Sequence, residues 1–162
     1  MTQDEEKQPS TVNLLIFPLN NQLYALDISI VEELIPLPEL TQIGATLPFI
    51  KGVIDLRGTI LPIIDLKVRL GLATRPYELD DAVVVVKVAT LAAGLIVDAG
   101  SFVTEFPSHE ISSSPEVIKG IAQEYIAGWG RTEKGLFILL EPEKLLSKKD
   151  IDALQKITTA SP

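Results

Sequence analysis

Short runs of branched apolar residues recur along almost the whole chain, and turn-forming residues separate them. Runs such as 12–19, 82–89 and 92–97 are rich in Val, Ile and Leu, and Gly, Pro or Asn follow or interrupt them. β-branched residues bounded by turn residues favour strands. The runs are far shorter than the roughly 18 apolar residues of a membrane-spanning helix. The spacing therefore predicts an all-β protein of about ten short strands, with a few short helices.

The clearest of these patterns is a hairpin between Ile50 and Leu66. Two apolar runs flank Asp55-Leu56-Arg57-Gly58, and Gly at the end of such a stretch predicts a tight turn. Arg57 then lies at the exposed tip. A guanidinium there can reach a carboxylate or a backbone carbonyl on another element.

Composition and spacing predict one domain built from two halves. The polar stretch 74–81, which contains Pro76, connects them. We predict a domain over residues 12–157 with subdomains at about 15–75 and 80–142, a disordered tail at 1–11 and a frayed end at 158–162. Neither half could bury much apolar surface alone, so we expect the two to share a core.

Helices are predicted where capping residues meet apolar spacing. Asp65 is placed to cap a short helix that stops at Gly71. Pro142 and early acidic residues begin a C-terminal helix at 143–157, which residues 147–150 could divide in two. A helical turn is predicted at 28–31 and a short helix at 115–119, while 121–129 is predicted as a strand.

Charge and composition exclude several functions. The net charge is −8, whereas binding to nucleic acid needs clustered Lys and Arg to neutralise phosphates. The chain has no cysteine, so disulfides and thiolate metal sites are absent, and a reducing compartment fits.

Three aspartates, Asp27, Asp65 and Asp98, each end an apolar strand. Two of them in one cleft could act as general acid and base of a hydrolase. Capping of the following turn is the simpler interpretation. His109, the only histidine, has no nucleophile pattern beside it, and phosphate-loop and metal-ligand spacings are missing. We therefore expect a binding module without catalytic residues, metal or cofactor.

Several stretches resemble the CheW family, whose members are adaptors that couple chemoreceptors to the histidine kinase CheA. The strongest resemblance is residues 49–66, and the family pattern extends in order over about residues 12–157. The further matching blocks are Tyr24–Ile28 with Val31 and Glu33, then Gly94–Asp98, then Glu124–Gly128 with Glu143–Leu146.

The resemblance implies two small five-stranded β-barrels packed face to face, and a non-catalytic scaffold in a chemotaxis-like signal transduction pathway. Its expected partners are a chemoreceptor cytoplasmic tip and the regulatory domain of a CheA-like kinase, in the cytoplasm at receptor arrays. An adaptor of type IV pilus twitching or gliding motility is the alternative. The receptor groove implied by the match comprises Ile28, Val31, Glu33, Arg57, Gly94 and Val103. The implied kinase contacts are Lys51, Val83 and Val85, and ordinary strand packing explains the two valines equally well.

Three departures from the family pattern bear on the choice of receptor. Asp55 replaces an Asn, and Asp98-Ala99-Gly100 replaces Asp-Gly-Val, so we expect Gly100 to take over the positive φ of that turn. Pro36 and Pro38 occupy a stretch that is more polar and free of proline in the family. A dedicated receptor of a twitching or gliding motility system is therefore the alternative partner.

Overall fold

The structure is a computed structural model that describes residues 10–44, 47–113 and 118–159, with side chains described up to residue 156. Most of the predicted N-terminal tail lies outside these residues. Thr11, the last residue of that prediction, belongs to the first strand. Most of the helix predicted at 115–119 also lies outside, and Ile118 and Lys119 are not helical.

The described residues form ten strands, which confirms the all-β prediction. Their bounds are β1 (Thr11–Leu19), β2 (Gln22–Asp27), β3 (Val31–Pro36), β4 (Ile50–Leu56), β5 (Thr59–Asp65), β6 (Ala82–Val88), β7 (Leu91–Val97), β8 (Phe102–Pro107), β9 (Ile126–Thr132) and β10 (Gly135–Leu140).

The strands form two five-stranded sheets: the five consecutive strands β3 to β7 form one, and β1, β2, β8, β9 and β10, from the two ends of the chain, form the other. The first sheet has the order β8-β1-β2-β10-β9 and the second has the order β3-β6-β7-β5-β4. The third strand of each half thus pairs with the first strand of the other half. The predicted boundaries at 15–75 and 80–142 do not describe the two sheets, because each sheet contains strands from both sides of the connector. In both sheets a parallel pair, β2 with β10 and β5 with β7, joins the halves.

Each sheet is curled by a backbone bridge that joins its two outer edges. Thr41, beyond β3, pairs with Val53 on β4, and Ser112, beyond β8, pairs with Trp129 on β9. Each bridge links the two outer edges of one sheet. The neighbouring glycines make the approach possible: a Cβ on Gly52 would lie 2.6 Å from the Thr41 carbonyl oxygen, and one on Gly128 would lie 2.7 Å from that of Ser112. The two halves therefore repeat one design.

Buried apolar residues form one large cluster between the sheets and a smaller cluster inside each sheet. In β6, Val84 and Val86 face the other sheet, while Val83 and Val85 face the interior of the second sheet. The strand is therefore buried on both faces, which explains its unbroken apolar sequence. The large cluster draws residues from both sheets, so the predicted shared core is confirmed.

The helices begin and end largely where the sequence predicts. The Asp65 carboxylate accepts hydrogen bonds from the backbone N–H groups of Lys67 and Val68 and caps α1 (Leu66–Leu70), and Gly71 ends it with φ 76°. The C-terminal helix is divided into α2 (Pro142–Leu145) and α3 (Lys148–Thr159). The strand predicted at 121–129 begins only at Ile126, because residues 123–125 form a 3-10 turn. Within the described residues, no helix is long and apolar enough to cross a bilayer.

Candidate functional site: the Arg57 hairpin tip and the polar network behind it

The hairpin between β4 and β5 presents Arg57 at its tip. Leu56 pairs with Thr59, so Arg57 and Gly58 alone form the loop. Their φ angles are 52° and 87°, as in the type I′ turn that suits the twist of a hairpin. The Gly58 N–H donates to Oδ1 of Asp55 at 2.8 Å. This bond secures a backbone conformation that residues other than glycine rarely adopt.

Arg57 forms a bidentate ion pair with Glu33 on β3. Its Nη1 and Nη2 donate to Oε1 at 2.9 Å each, and Nη2 also donates to Oε2 at 2.8 Å. Since β3 and β4 are the outer strands of the second sheet, the pair ties the hairpin tip to the opposite edge of its sheet. The side chains of Arg57 and Glu33 are 67% and 33% exposed, so solvent screens the pair and leaves guanidinium surface open to a partner.

The other residues of the predicted groove lie in different places. Ile28 is a half-buried residue of the 3-10 turn 28–30, and Val31 opens β3. Val103 lies on β8 in the first sheet and is 61% exposed. Gly94 is buried in β7. A Cβ added there would lie 2.6 Å from side-chain atoms of Ile63 and Val83. Gly94 thus keeps two strands close and does not present a surface.

The predicted kinase contacts also divide into surface and core. Lys51 on β4 is half-buried. Val83 and Val85 are 0% and 2% exposed and pack in the interior of the second sheet. For these two valines the packing interpretation is the right one, because a partner cannot reach their side chains.

The aspartates that were considered as catalytic act as caps and ion-pair partners. Asp27 accepts from the Ser29 N–H at 2.9 Å and caps the 3-10 turn, and Asp65 caps α1. Asp98 lies 2.8 Å from Lys67 Nζ and 2.8 Å from Arg75 Nη2. Arg75 also pairs with Asp81, and the arrangement differs from an acid–base pair poised on a substrate.

Asp98 also connects the two sheets, which the sequence did not reveal. Its Oδ2 accepts from the backbone N–H of Asn20 at 2.9 Å, and its own N–H donates to the Pro18 carbonyl oxygen at 3.2 Å. Asn20 lies in the turn between β1 and β2 of the first sheet, whereas Asp98 follows β7 of the second. Asp98 thus fixes one end of the two sheets against each other. As expected, Gly100 carries the positive φ of the next turn, at 112°.

Arg75 organises the connector between α1 and β6. It pairs with Asp81 through two hydrogen bonds of 2.9 and 2.8 Å. The hydrogen bond from Arg75 holds the pKa of Asp81 below its usual range, and the same bond raises the pKa of Arg75. Burial, followed by the hydrogen bond to Asp65, raises the pKa of Tyr77. Glu78, Asp80 and Asp81 place carboxylate oxygens within 4.8 Å of one another, and Arg75 already neutralises Asp81.

A second cation, Arg69 of α1, also connects the two sheets. Its guanidinium carbon lies 4.7 Å from the ring centre of Phe49, before β4, and 5.5 Å from that of Tyr125, before β9. Its Nε donates to the Leu145 carbonyl oxygen at 2.6 Å, and Nη2 to Asp150 at 2.9 Å. Arg69 therefore joins the edges of both sheets to the C-terminal helices.

Two curled sheets held in a fixed relation, with an ion-paired hairpin tip at the surface, are typical of a protein-interaction domain. The CheW-like domain model matches residues 13–150. The chemotaxis protein CheW of Klebsiella aerogenes is 36% identical over 143 residues, which cover 88% of this chain and 86% of that protein. The crystal structure of the scaffolding protein TtCheW from Thermoanaerobacter tengcongensis shares 32% identity with a TM-score of 0.78, covering 89% of this chain and 93% of that one. The chain belongs to the CheW-like family and is a chemotaxis adaptor.

Protein PilI of Pseudomonas aeruginosa is a less similar relative, 30% identical over 112 residues that cover 69% of this chain and 63% of that protein. The comparisons therefore favour chemotaxis over the alternative of pilus or gliding motility. The CheW family is non-enzymatic, which agrees with the prediction of a non-enzyme.

Proposed function

We propose that this protein couples chemoreceptors to a CheA-type histidine kinase, with the receptor tip bound beside the Arg57–Glu33 pair. That pair is the observation that carries the proposal. It holds the hairpin tip in one position, so that the remaining guanidinium donors are directed before a partner arrives. Preorganisation of this kind lowers the ordering cost of binding.

The surroundings of the pair suit an amphipathic partner segment. Ile28 and Val31 offer half-buried apolar surface on the chain that leads into Glu33. Val103 offers a further exposed apolar side chain from the first sheet. An apolar surface with an adjacent Arg recognises one apolar stripe and one acidic or carbonyl group on a partner.

On the kinase side, Lys51 is the implied contact residue with accessible surface. Val83 and Val85 support the sheet beneath it and contribute no side-chain surface. We therefore assign the kinase contact to Lys51 and the outer surface of β4, and we expect an affinity of order micromolar, as in modest reversible interfaces.

Capture by two separate baits tests both contacts. The regulatory domain of a CheA-like kinase and a receptor cytoplasmic fragment from the same cell are each immobilised. Lys51→Glu should weaken capture by the kinase domain and leave receptor capture unchanged, and Arg57→Ala should do the opposite. Lys119→Glu, at an exposed position after β8, is the matched control. Failure of the unaltered protein to bind either bait would contradict the proposal.

A further inference from the structure

The hairpin tip carries a negative charge that the fold itself does not use. Asp55, two residues before Arg57, is exposed on β4. Its Oδ1 accepts from the Gly58 N–H at 2.8 Å. Within the part of the chain that the structure describes, its other oxygen, Oδ2, has no hydrogen-bond partner, and no Lys or Arg forms an ion pair with the carboxylate. The carboxylate is therefore available to a partner beside the Arg57 guanidinium.

The turn requires an acceptor oxygen at position 55, and it does not require the charge. Asp and Asn side chains both accept hydrogen bonds from backbone N–H groups a few residues further along the chain. An amide oxygen at position 55 could therefore receive the Gly58 N–H in place of the carboxylate. What Asp55 adds to the tip is its charge.

Arg57 does not neutralise Asp55, although it is the nearest cation in the sequence. Its guanidinium donates instead to both oxygens of Glu33. Arg57 and Glu33 neutralise each other, so Asp55 leaves the tip with a net negative charge. Ile54 and Leu56, on either side of Asp55, pack towards the interior of the second sheet. Because neighbouring residues of a strand point to opposite faces, Asp55 lies on the outer face, where a partner can reach it.

Asp55 belongs to the same turn as the proposed receptor contact. Its carboxylate is held at Gly58, the residue that follows Arg57 in the loop. A partner that binds the Arg57 guanidinium must therefore also place a group beside Asp55. A like charge there would be repelled, and an apolar group would remove water from the carboxylate without replacing its hydrogen bonds, whereas Lys or Arg would complement it.

We propose that Asp55 is a specificity-determining residue of the receptor contact, and that the receptor tip presents a Lys or Arg to it beside the acidic or carbonyl group that Arg57 binds. This inference rests on the proposed function, which assigns the receptor as the partner at the hairpin tip. The net charge of the chain, −8, adds a long-range attraction for such a cation. A receptor without a basic residue at this place should bind more weakly, so the charge of Asp55 selects among receptors.

Titration with the receptor cytoplasmic fragment at two salt concentrations tests the proposal. Asp55→Asn removes the charge and keeps an acceptor for the Gly58 N–H, so the melting temperature should not change. At about 0.01 M salt, where screening is weak, this variant should bind the receptor fragment about two- to fivefold more weakly than the unaltered protein. At about 1 M salt the difference should disappear. Asp152→Asn, the same charge change at an exposed position on α3, is the matched control, because the contact of Asp150 with Arg69 places α3 at the end of β5 away from the tip.

A double-mutant cycle then identifies the cation on the receptor. Each Lys and Arg of the receptor fragment is replaced by Gln in turn. One replacement should weaken binding to the unaltered protein by a similar factor and cause no further loss with Asp55→Asn. Equal affinities of Asp55→Asn and the unaltered protein at low salt, an equal loss with Asp152→Asn, or no coupled Lys or Arg would each overturn this inference. The proposed function would survive those results if Arg57→Ala still weakens receptor binding, whereas failure of the unaltered protein to bind the fragment would overturn both.

Discussion

Asp98→Asn should destabilise this protein more than removal of the cation it binds. Lys67 and Asp98 have side chains only 8% and 18% exposed, and their charged atoms lie 2.8 Å apart. Neutralising Asp98 leaves the buried Lys67 ammonium without its ion partner. Breaking a buried pair in this way costs about 3–5 kcal/mol, and the partial exposure of Asp98 favours the lower end, near 3 kcal/mol.

Lys67→Met leaves a better compensated carboxylate. Asp98 still accepts from Arg75 at 2.8 Å and from the Asn20 N–H at 2.9 Å. Met also retains most of the apolar stem that Lys67 buries. The cost should therefore be about 1–2 kcal/mol, and the double variant should be more stable than Asp98→Asn alone because no unpaired ammonium remains.

Urea unfolding of the four proteins at pH 7 provides the free energies of this double-mutant cycle. An Asp98→Asn variant as stable as Lys67→Met, or a double variant that is no more stable than Asp98→Asn, would refute the assignment of Asp98 as the group that compensates buried Lys67.

Two further predictions concern packing and pH. Gly94→Ala should lower the free energy of unfolding by about 1–3 kcal/mol, because the new Cβ must displace buried side-chain atoms of Ile63 and Val83. Urea unfolding measures this loss, with Gly44→Ala, where an added Cβ would meet no atom within 4 Å, as the control. An unchanged midpoint for Gly94→Ala would show that the strands can separate without cost. Asp81 has a pKa lowered from its ordinary value of 3.8, so its stabilisation is complete above that value and is lost as the pH falls through the lower pKa of the folded state. Asp81→Asn should accordingly be less stable at pH 7 and lose less stability on acidification than the unaltered protein, and parallel acid dependences from pH-dependent urea unfolding would contradict this.

Local patterns predicted the turns, caps and helix limits of this fold. Three features depend on residues within a few positions of one another: the turn at Arg57–Gly58, the Asp65 cap and the helix end at Gly71. Such features can be predicted from the local sequence. The break between α2 and α3 is of the same kind. The 3-10 turn at 123–125 was missed because the apolar residues around it fit a strand pattern equally well.

Features that depend on pairing between residues distant in the sequence could not be predicted from it. The division of the strands into a sheet of β3 to β7 and a sheet from both ends of the chain depends on which strands meet after long connections, and alternation along a strand carries no such information. For the same reason Val83 and Val85 could not be assigned to surface or core, since both faces of β6 read as apolar. Asp98 follows β7 of the second sheet, whereas its partner Asn20 lies in the β1–β2 turn of the first, so the sequence could not reveal this connection either. The proximity of Arg57 and Glu33 could be predicted, because Arg57 lies at a hairpin tip and the family pattern places Glu33 beside it.

The most direct test of the central claim measures receptor binding and melting temperature on the same Arg57→Ala sample. The exposed ion pair contributes at most about 1 kcal/mol to folding, so the melting temperature should barely change. Loss of a contact at the centre of a small interface costs about 1–3 kcal/mol, so receptor binding should weaken roughly ten- to hundredfold. Arg57→Lys should not restore binding, because the planar fork is lost, and Arg131→Ala, at an exposed position on β9, should leave both quantities unchanged. Intact receptor binding together with a sharply lowered melting temperature would show that Arg57 is a structural residue and that the receptor binds elsewhere.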